Sequence, residues 1–257
     1  MLAEFALRCL ISGSIAILLY VAFGLIVTRR WNRTVSRDIW RYDFKLGIVS
    51  LVTGSPMIQG FSMLAEKWQL GFMYNDVSQY GWVWWVVSLP IYVLLWDLWF
   101  YVGHLALHWR PIYRLSHFRH HACRPPVPWS GIAIDPIETV FSGILPYVAP
   151  LFFLPFHTYT VYALNIALMG WALVVHSSMN FTGNWFFFST KDHNLHHTFG
   201  LKNVNFAAVF AIWDRLGRTL EREKSPPWWG KPEWRLKTTA PKDGPNATDA
   251  HPIHDAA

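Results

Sequence analysis

Charge is scarce in this sequence of 257 residues. Asp, Glu, Lys and Arg make up 15% of it, against about a quarter in an ordinary soluble domain. The deficit is concentrated: no charged residue occurs in the 20 positions from Cys9 to Thr28, from Leu46 to Ala65 or from Val77 to Trp96, nor in the 52 from Thr139 to Thr190. Runs of about 20 apolar residues, rising 1.5 Å each, are long enough to cross a hydrocarbon layer of roughly 30 Å. Cysteine is scarce as well. Cys9 and Cys123 offer no disulfide framework and read as free thiols. No Gly-rich phosphate loop follows a strand pattern. The formal charge of +6 flanks apolar runs instead of covering a soluble domain, which argues against a nucleic-acid partner.

What is abundant is apolar and aromatic. Hydrophobic residues reach 53%, with 16 Trp and 18 Phe. The expected fold is an all-α membrane protein with about four to five transmembrane or re-entrant helices. The 52-residue run is too long for one crossing and breaks near Leu154-Pro155-Phe156-His157, so it reads as two helices over about 139–155 and 158–179, either crossing or dipping in. The first run lacks a cleavage pattern and reads as a retained helix. Six basic residues in 29–45 (Arg29, Arg30, Arg33, Arg37, Arg41 and Lys45), against Lys67 in 66–80, place 29–45 in the cytoplasm by the positive-inside rule. The same path puts 104–131, with four more arginines, and everything after about 180 on that side. The expected organisation is one membrane-embedded domain over 1–222, then a partly disordered cytoplasmic tail over 223–257. On that side the glycosylation triplet Asn246-Ala247-Thr248 would be inert.

Histidine carries the chemistry. The stretch Ser116–His121 reads S-H-F-R-H-H and Asp192–His197 reads D-H-N-L-H-H, two copies of H-x-x-H-H. With His104 and His108 four apart, and His176 late in the last span, nine of the 12 histidines fall at the boundary that the arginines make cytoplasmic. On a helix, residues four apart share a face about 6 Å apart along the axis, and adjacent residues point about 100° apart. One H-x-x-H-H segment can therefore serve two neighbouring metals. The ligand set expected is His104, His108, His117, His120, His121, His176, His193, His196 and His197, with no catalytic residue separate from the ligands. His157 reads as an interfacial residue of the far turn. Imidazole suits iron, zinc and copper. Nine ligands overshoot a four-coordinate structural zinc site and suit two six-coordinate ions with open positions, which favours iron because zinc has no redox chemistry.

The order H-x-x-x-H, H-x-x-H-H, a late-helix histidine and H-x-x-H-H resembles the fatty acid hydroxylase/sterol desaturase superfamily of integral-membrane diiron oxygenases. Further residues carry the resemblance over roughly 90–222: Asp97 and Tyr101 to Arg110 at the entry to the first box, Asp135-Pro136-Ile137-Glu138 where the family often has His-Pro-x-Glu, Asn205-Phe206, and Trp213-Asp214-Arg215-Leu216-Gly217-Arg218-Thr219. The runs Gly143–Tyr147 and Leu154–His157 look most like the sterol C5-desaturase branch. Departures are Asp135 in place of histidine and Asn180 where some members have a second histidine after His176. Asn180 could offer a carbonyl oxygen as a further ligand or cap a helix end. Asp97 and Asp192 are expected partners that fix imidazole tautomers, and Phe100 and Tyr101 are expected to line the substrate cavity beneath His104 and His108.

The resemblance implies a cytoplasmic histidine-rich cap holding two iron ions, with dioxygen as co-substrate and a membrane lipid hydroxylated or desaturated. Electrons would come from a separate cytochrome b5-like protein or a ferredoxin with its reductase. A sterol or sterol-like lipid is the expected substrate; a fatty acyl, sphingolipid or ether lipid chain is the alternative. The membrane would be the endoplasmic reticulum in a eukaryote and the inner membrane in a bacterium. A metal-handling or transport protein is the competing class, but its ligands would sit near mid-bilayer on broken helices.

Overall fold

The computed structural model describes residues 2–31, 37–181, 183–199 and 203–222. The tail over 223–257, its glycosylation triplet and Arg33 lie outside them. Among the described residues, four helices are long and apolar enough to cross a membrane: α1 (Leu2–Trp31), α2 (Arg37–Trp68), α3 (Gly81–Leu107) and the later helix α7 (Thr158–Val175). Each outruns or shifts its charge-free run. Helix α1 takes in Glu4 and Arg8, an i, i+4 pair at 2.9 Å, and ends on Arg29 and Arg30, the signs that suit a helix dipole. Outward-facing Leu7, Leu10, Ile15, Leu18 and Ile26 on α1, like Val83 on α3, remain exposed, as a lipid-facing surface requires.

Between α3 and α7 the chain is short-ranged and irregular. Helix α4 (Arg110–Leu115) leads into two 3-10 turns, His117–Ala122 and Pro128–Ile132. Next come α5 (Pro136–Glu138), a π-type turn over Thr139–Ile144, α6 (Leu145–Val148) and a 3-10 turn over Ala149–Phe152. Asp135 caps α5 by accepting the Ile137 and Glu138 amides at 2.9 and 3.0 Å, with Pro136 at the first helical position, where it loses no bond. The π-type turn lies against α3 because residue 103 is glycine: a Cβ there would stand 2.2 Å from the Phe141 carbonyl oxygen.

This broken segment runs the height of the bundle. It starts beside the histidines at Glu138 and finishes at the opposite end, where the two-residue strands β1 (Met73–Tyr74) and β2 (Phe156–His157) pair in parallel. Trp84 and Trp85 close that end by donating to Pro155 O and Thr160 Oγ1, both at 2.9 Å. His157 belongs to that end, 3.1 Å from Asn75 O. Helix α7 returns to His176. Helix α8 (Thr190–Phe199) and the short α9 (Ala211–Leu216) complete the histidine end. Cys9 and Cys123 are free.

Candidate metal centre

Nine histidines arrive from four places: His104 and His108 at the end of α3, three on the 117–122 turn, His176 at the C-cap of α7, and three on α8. All nine are buried. They divide into a group of five, His104, His108, His117, His121 and His196, and a group of four, His120, His176, His193 and His197. Within each, the ligand atoms lie within 4.8 Å of one another. Each H-x-x-H-H is split between the groups. Its i and i+4 histidines stay together while the i+3 residue crosses over, as residues turned about 100° apart on a helix can.

The nitrogens converge as ligands do. In the group of five, Nε2 of His117 is 3.1 Å from Nε2 of both His108 and His121, and His121 Nε2 is 3.1 Å from that of His196. One ring nitrogen offers a single proton or a single lone pair, so no arrangement of protons satisfies all three contacts. The Nε2 of His104 is buried and without a hydrogen-bond partner. In the group of four, His193 Nε2 is 2.9 Å from His176 Nε2 and 3.1 Å from His197 Nε2, and His176 Nε2 is 3.4 Å from His120 Nε2. Ligands about 2.0–2.1 Å from a shared first-row ion and at right angles stand about 2.9 Å apart. A cation in each group would relieve these contacts; the donor set fits.

Opposite edges of several rings are held. The Nδ1 atoms of His104, His196 and His176 face Phe206 O at 2.8 Å, Val204 O at 2.7 Å and Ala172 O at 2.6 Å. A carbonyl accepts only, so Nδ1 carries the proton and Nε2 keeps its lone pair. His120 Nδ1 lies 3.4 Å from Ala133 O. Burial, and for most of them neighbouring imidazoles, push the pKa values of His108, His117, His121, His193, His196 and His197 well down; burial holds that of His120 at about 4. These rings are neutral at physiological pH, the form that ligates.

Several expected residues sit elsewhere. Asp97 touches no histidine among the described residues: its Oδ1 accepts the amides of Ala208 and Val209 at 2.9 Å and its Oδ2 that of Phe210 at 2.7 Å. Asp192 starts α8, accepting Ser189 N at 2.9 Å and pairing with Arg222 at 3.4 Å. In both, unpaired backbone N–H groups outcompete imidazole for the carboxyl. Asn180 is exposed, unlike every one of the nine histidines, and the cap of α7 is His176 instead. Phe100 packs edge-on against His104, ring centroids 5.4 Å apart. Tyr101 turns the other way: it is i+4 from Asp97, so it packs on Phe206 and sets its hydroxyl 3.3 Å from Thr219 Oγ1.

One residue at the site was missed by sequence reasoning. Glu138 Oε1 stands 3.0 Å from His117 Nδ1 and 4.0 Å from His120 Nδ1, so one carboxylate faces both groups. Its signal was the acidic end of Asp135-Pro136-Ile137-Glu138. Asp135 sets it there and also ties down the first H-x-x-H-H, accepting Ser116 Oγ at 2.5 Å and Arg119 Nη1 at 2.7 Å.

No solved structure matches the chain. Among curated proteins, it is 28% identical over 189 residues to a Delta(7)-sterol 5(6)-desaturase of Schizosaccharomyces pombe, covering 71% of this chain and 62% of that one. It is 27% identical to another Delta(7)-sterol 5(6)-desaturase, of Gibberella zeae, covering 64% and 50%. A lathosterol oxidase of Rattus norvegicus is 27% identical, covering 74% and 62%. The chain thus spans between half and two thirds of the length of these relatives. Residues 89–219, which carry all nine grouped histidines, match the family model described as fatty acid hydroxylase, and the chain belongs to that family.

Proposed function

We propose that the chain is a membrane oxidoreductase that uses two iron ions and dioxygen to desaturate or hydroxylate a sterol or sterol-like lipid. The observation that carries the reading is the pair of buried, neutral, converging imidazole sets. All nine histidines are assigned as ligands through Nε2 where the other ring edge is held. When bound, the irons would supply the route from donor electrons to dioxygen and the oxidising power to break an unactivated C–H bond. Either outcome takes two electrons from the lipid and two from the donor, reducing dioxygen fully.

The chain's own part is to hold and to orient. Carbonyls of Phe206, Val204 and Ala172 set tautomers, and the Glu138 carboxylate would balance charge between the groups. Phe100, which packs on His104, would line the reacting carbon's position, with the lipid entering between exposed apolar helix faces. The sterol preference rests on the relatives named above. The histidine end, rich in arginine, is proposed to face the cytoplasm, where a separate reductase-fed donor such as a cytochrome b5-like protein or ferredoxin would dock. A cysteine in 66–80 should be labelled from outside sealed cells and one at 119 should not; the reverse would invert this placement.

The deciding experiment compares lipids by mass spectrometry from cells carrying the chain or its His120→Ala variant, with a competent reductase. A sterol-like lipid that has lost two hydrogens or gained an oxygen only with the unaltered chain supports the reading. Identical lipid profiles, with iron bound and donor present, would overturn it.

A further inference from the structure

Residues 204–210 form a strap across one side of the metal centre, and the strap touches the two histidine groups unequally. Its carbonyls at Phe206 and Val204 take the Nδ1 protons of His104 and His196. The Phe206 ring packs against His104, His108 and His196 at centroid distances of 5.5, 5.0 and 5.5 Å. All three belong to the group of five. The group of four has its carbonyl partners elsewhere, at Ala172 and Ala133.

Two buried carboxyls hold the strap. Asp97, from within α3, takes the amides of Ala208, Val209 and Phe210. Asp214, on α9, takes those of Phe206 and Ala207 at 2.8 and 2.9 Å, and the Thr219 hydroxyl at 2.7 Å. Five consecutive amides therefore point into two carboxyls, which turns the Phe206 carbonyl the other way, toward His104. Within the strap Asn205 lies in the left-handed region, φ 60°, a conformation asparagine tolerates better than most residues. This gives the signature residues Asn205-Phe206 and Asp214 to Thr219 a physical task.

We propose that Asp97 and Asp214 are positioning residues for the five-histidine metal alone, acting through the strap. The proposal rests on the reading that each group holds an ion. Asp97→Asn would set an N–H₂ among amide donors, costing at least the Phe210 bond and loosening the Phe206 carbonyl. Loss of an outer-shell partner lowers metal affinity about 10–100-fold, and here the loss should fall on one site.

The test isolates each group in the full chain and titrates it with cobalt(II), whose ligand-field absorption reports on geometry as well as occupancy. His193→Ala/His197→Ala leaves the group of five; His117→Ala/His121→Ala leaves the group of four. Adding Asp97→Asn should weaken cobalt(II) binding about 10–100-fold and shift its spectrum in the first background, and leave the second unchanged. The milder Thr219→Val, which removes one partner of Asp214, should act in the same direction to a smaller extent and keeps the test open should Asp97→Asn fail to fold. Equal weakening in both backgrounds would mean a general structural role and overturn the proposal, as would no change in either. Parent backgrounds that bind no cobalt(II) would refute the metal reading itself, and the strap with it.

Discussion

Replacing Gly131 with alanine should damage one histidine group through backbone alone. Gly131 lies in the 128–132 turn against the end of α7. A Cβ there would stand 2.5 Å from Ala172 O, 2.6 Å from its carbonyl carbon and 2.9 Å from Leu173 N. None of these atoms can rotate aside, so turn and helix must separate by roughly 0.9 Å to reach ordinary contact at 3.4 Å. The carbonyl pushed is the one that accepts His176 Nδ1 at 2.6 Å. Two residues beyond Gly131, Ala133 carries the carbonyl facing His120. His176 and His120 both belong to the group of four. A displacement of that size exceeds the whole spread of Nε2 separations in the group, 2.9–3.4 Å. Overpacking of this kind costs about 1–3 kcal/mol, a fall of roughly 2–12 °C in melting midpoint for a chain of this size. Metal per chain, measured with the melting curve in detergent, should drop by about one ion. An alanine variant with an unchanged midpoint and full metal content would refute the reasoning.

Other outcomes follow from the same contacts. Glu138→Gln replaces the carboxyl 3.0 Å from His117 Nδ1 and should lower metal affinity about 10–100-fold, read by equilibrium dialysis; unchanged affinity would show that the carboxyl is idle. Phe100→Ala should shift product position or the alcohol-to-alkene ratio, whereas Tyr101→Ala should not, because Phe100 packs on His104 and Tyr101 on Phe206; mass spectrometry of lipids distinguishes them. Acid should strip the protein of stability: His120 is held at about 4 against an ordinary 6.5, so the unfolded chain binds protons in that interval which the folded chain refuses. Stability is complete above about pH 6.5 and falls as pH drops toward 4, and a melting midpoint flat across that window would contradict the burial argument.

The helices could be read from missing charge, because lipid exposure forbids it; their ends could not. Helix α1 continues through Glu4 and Arg8 because a helical pair satisfies both, and α3 runs on to Leu107, eleven residues past its charge-free run. The segment over about 139–155 reads as a helix by composition, yet it breaks into π and 3-10 turns, the first lying where Gly103 admits the Phe141 carbonyl. At the site, residue types announced which histidines would gather, and helical spacing announced that each H-x-x-H-H could be divided between two groups. The division into five and four depended on the 3-10 winding of 117–122 and the α winding of 190–199. The partners of the Nδ1 atoms were out of reach, since a backbone carbonyl such as Phe206 O leaves no trace in residue type. Asp97 was expected to fix an imidazole tautomer, but its partners are amides of a segment more than a hundred residues away.

The central claim, that each histidine group holds its own iron, is tested most directly by counting iron in the purified full chain and in two single variants. His196 belongs to the group of five and His120 to the group of four. The unaltered chain should hold about two irons, and His196→Ala and His120→Ala should each hold about one, lost from different sites. Two irons retained in both variants, or none in the unaltered chain after anaerobic loading with ferrous iron, would contradict it.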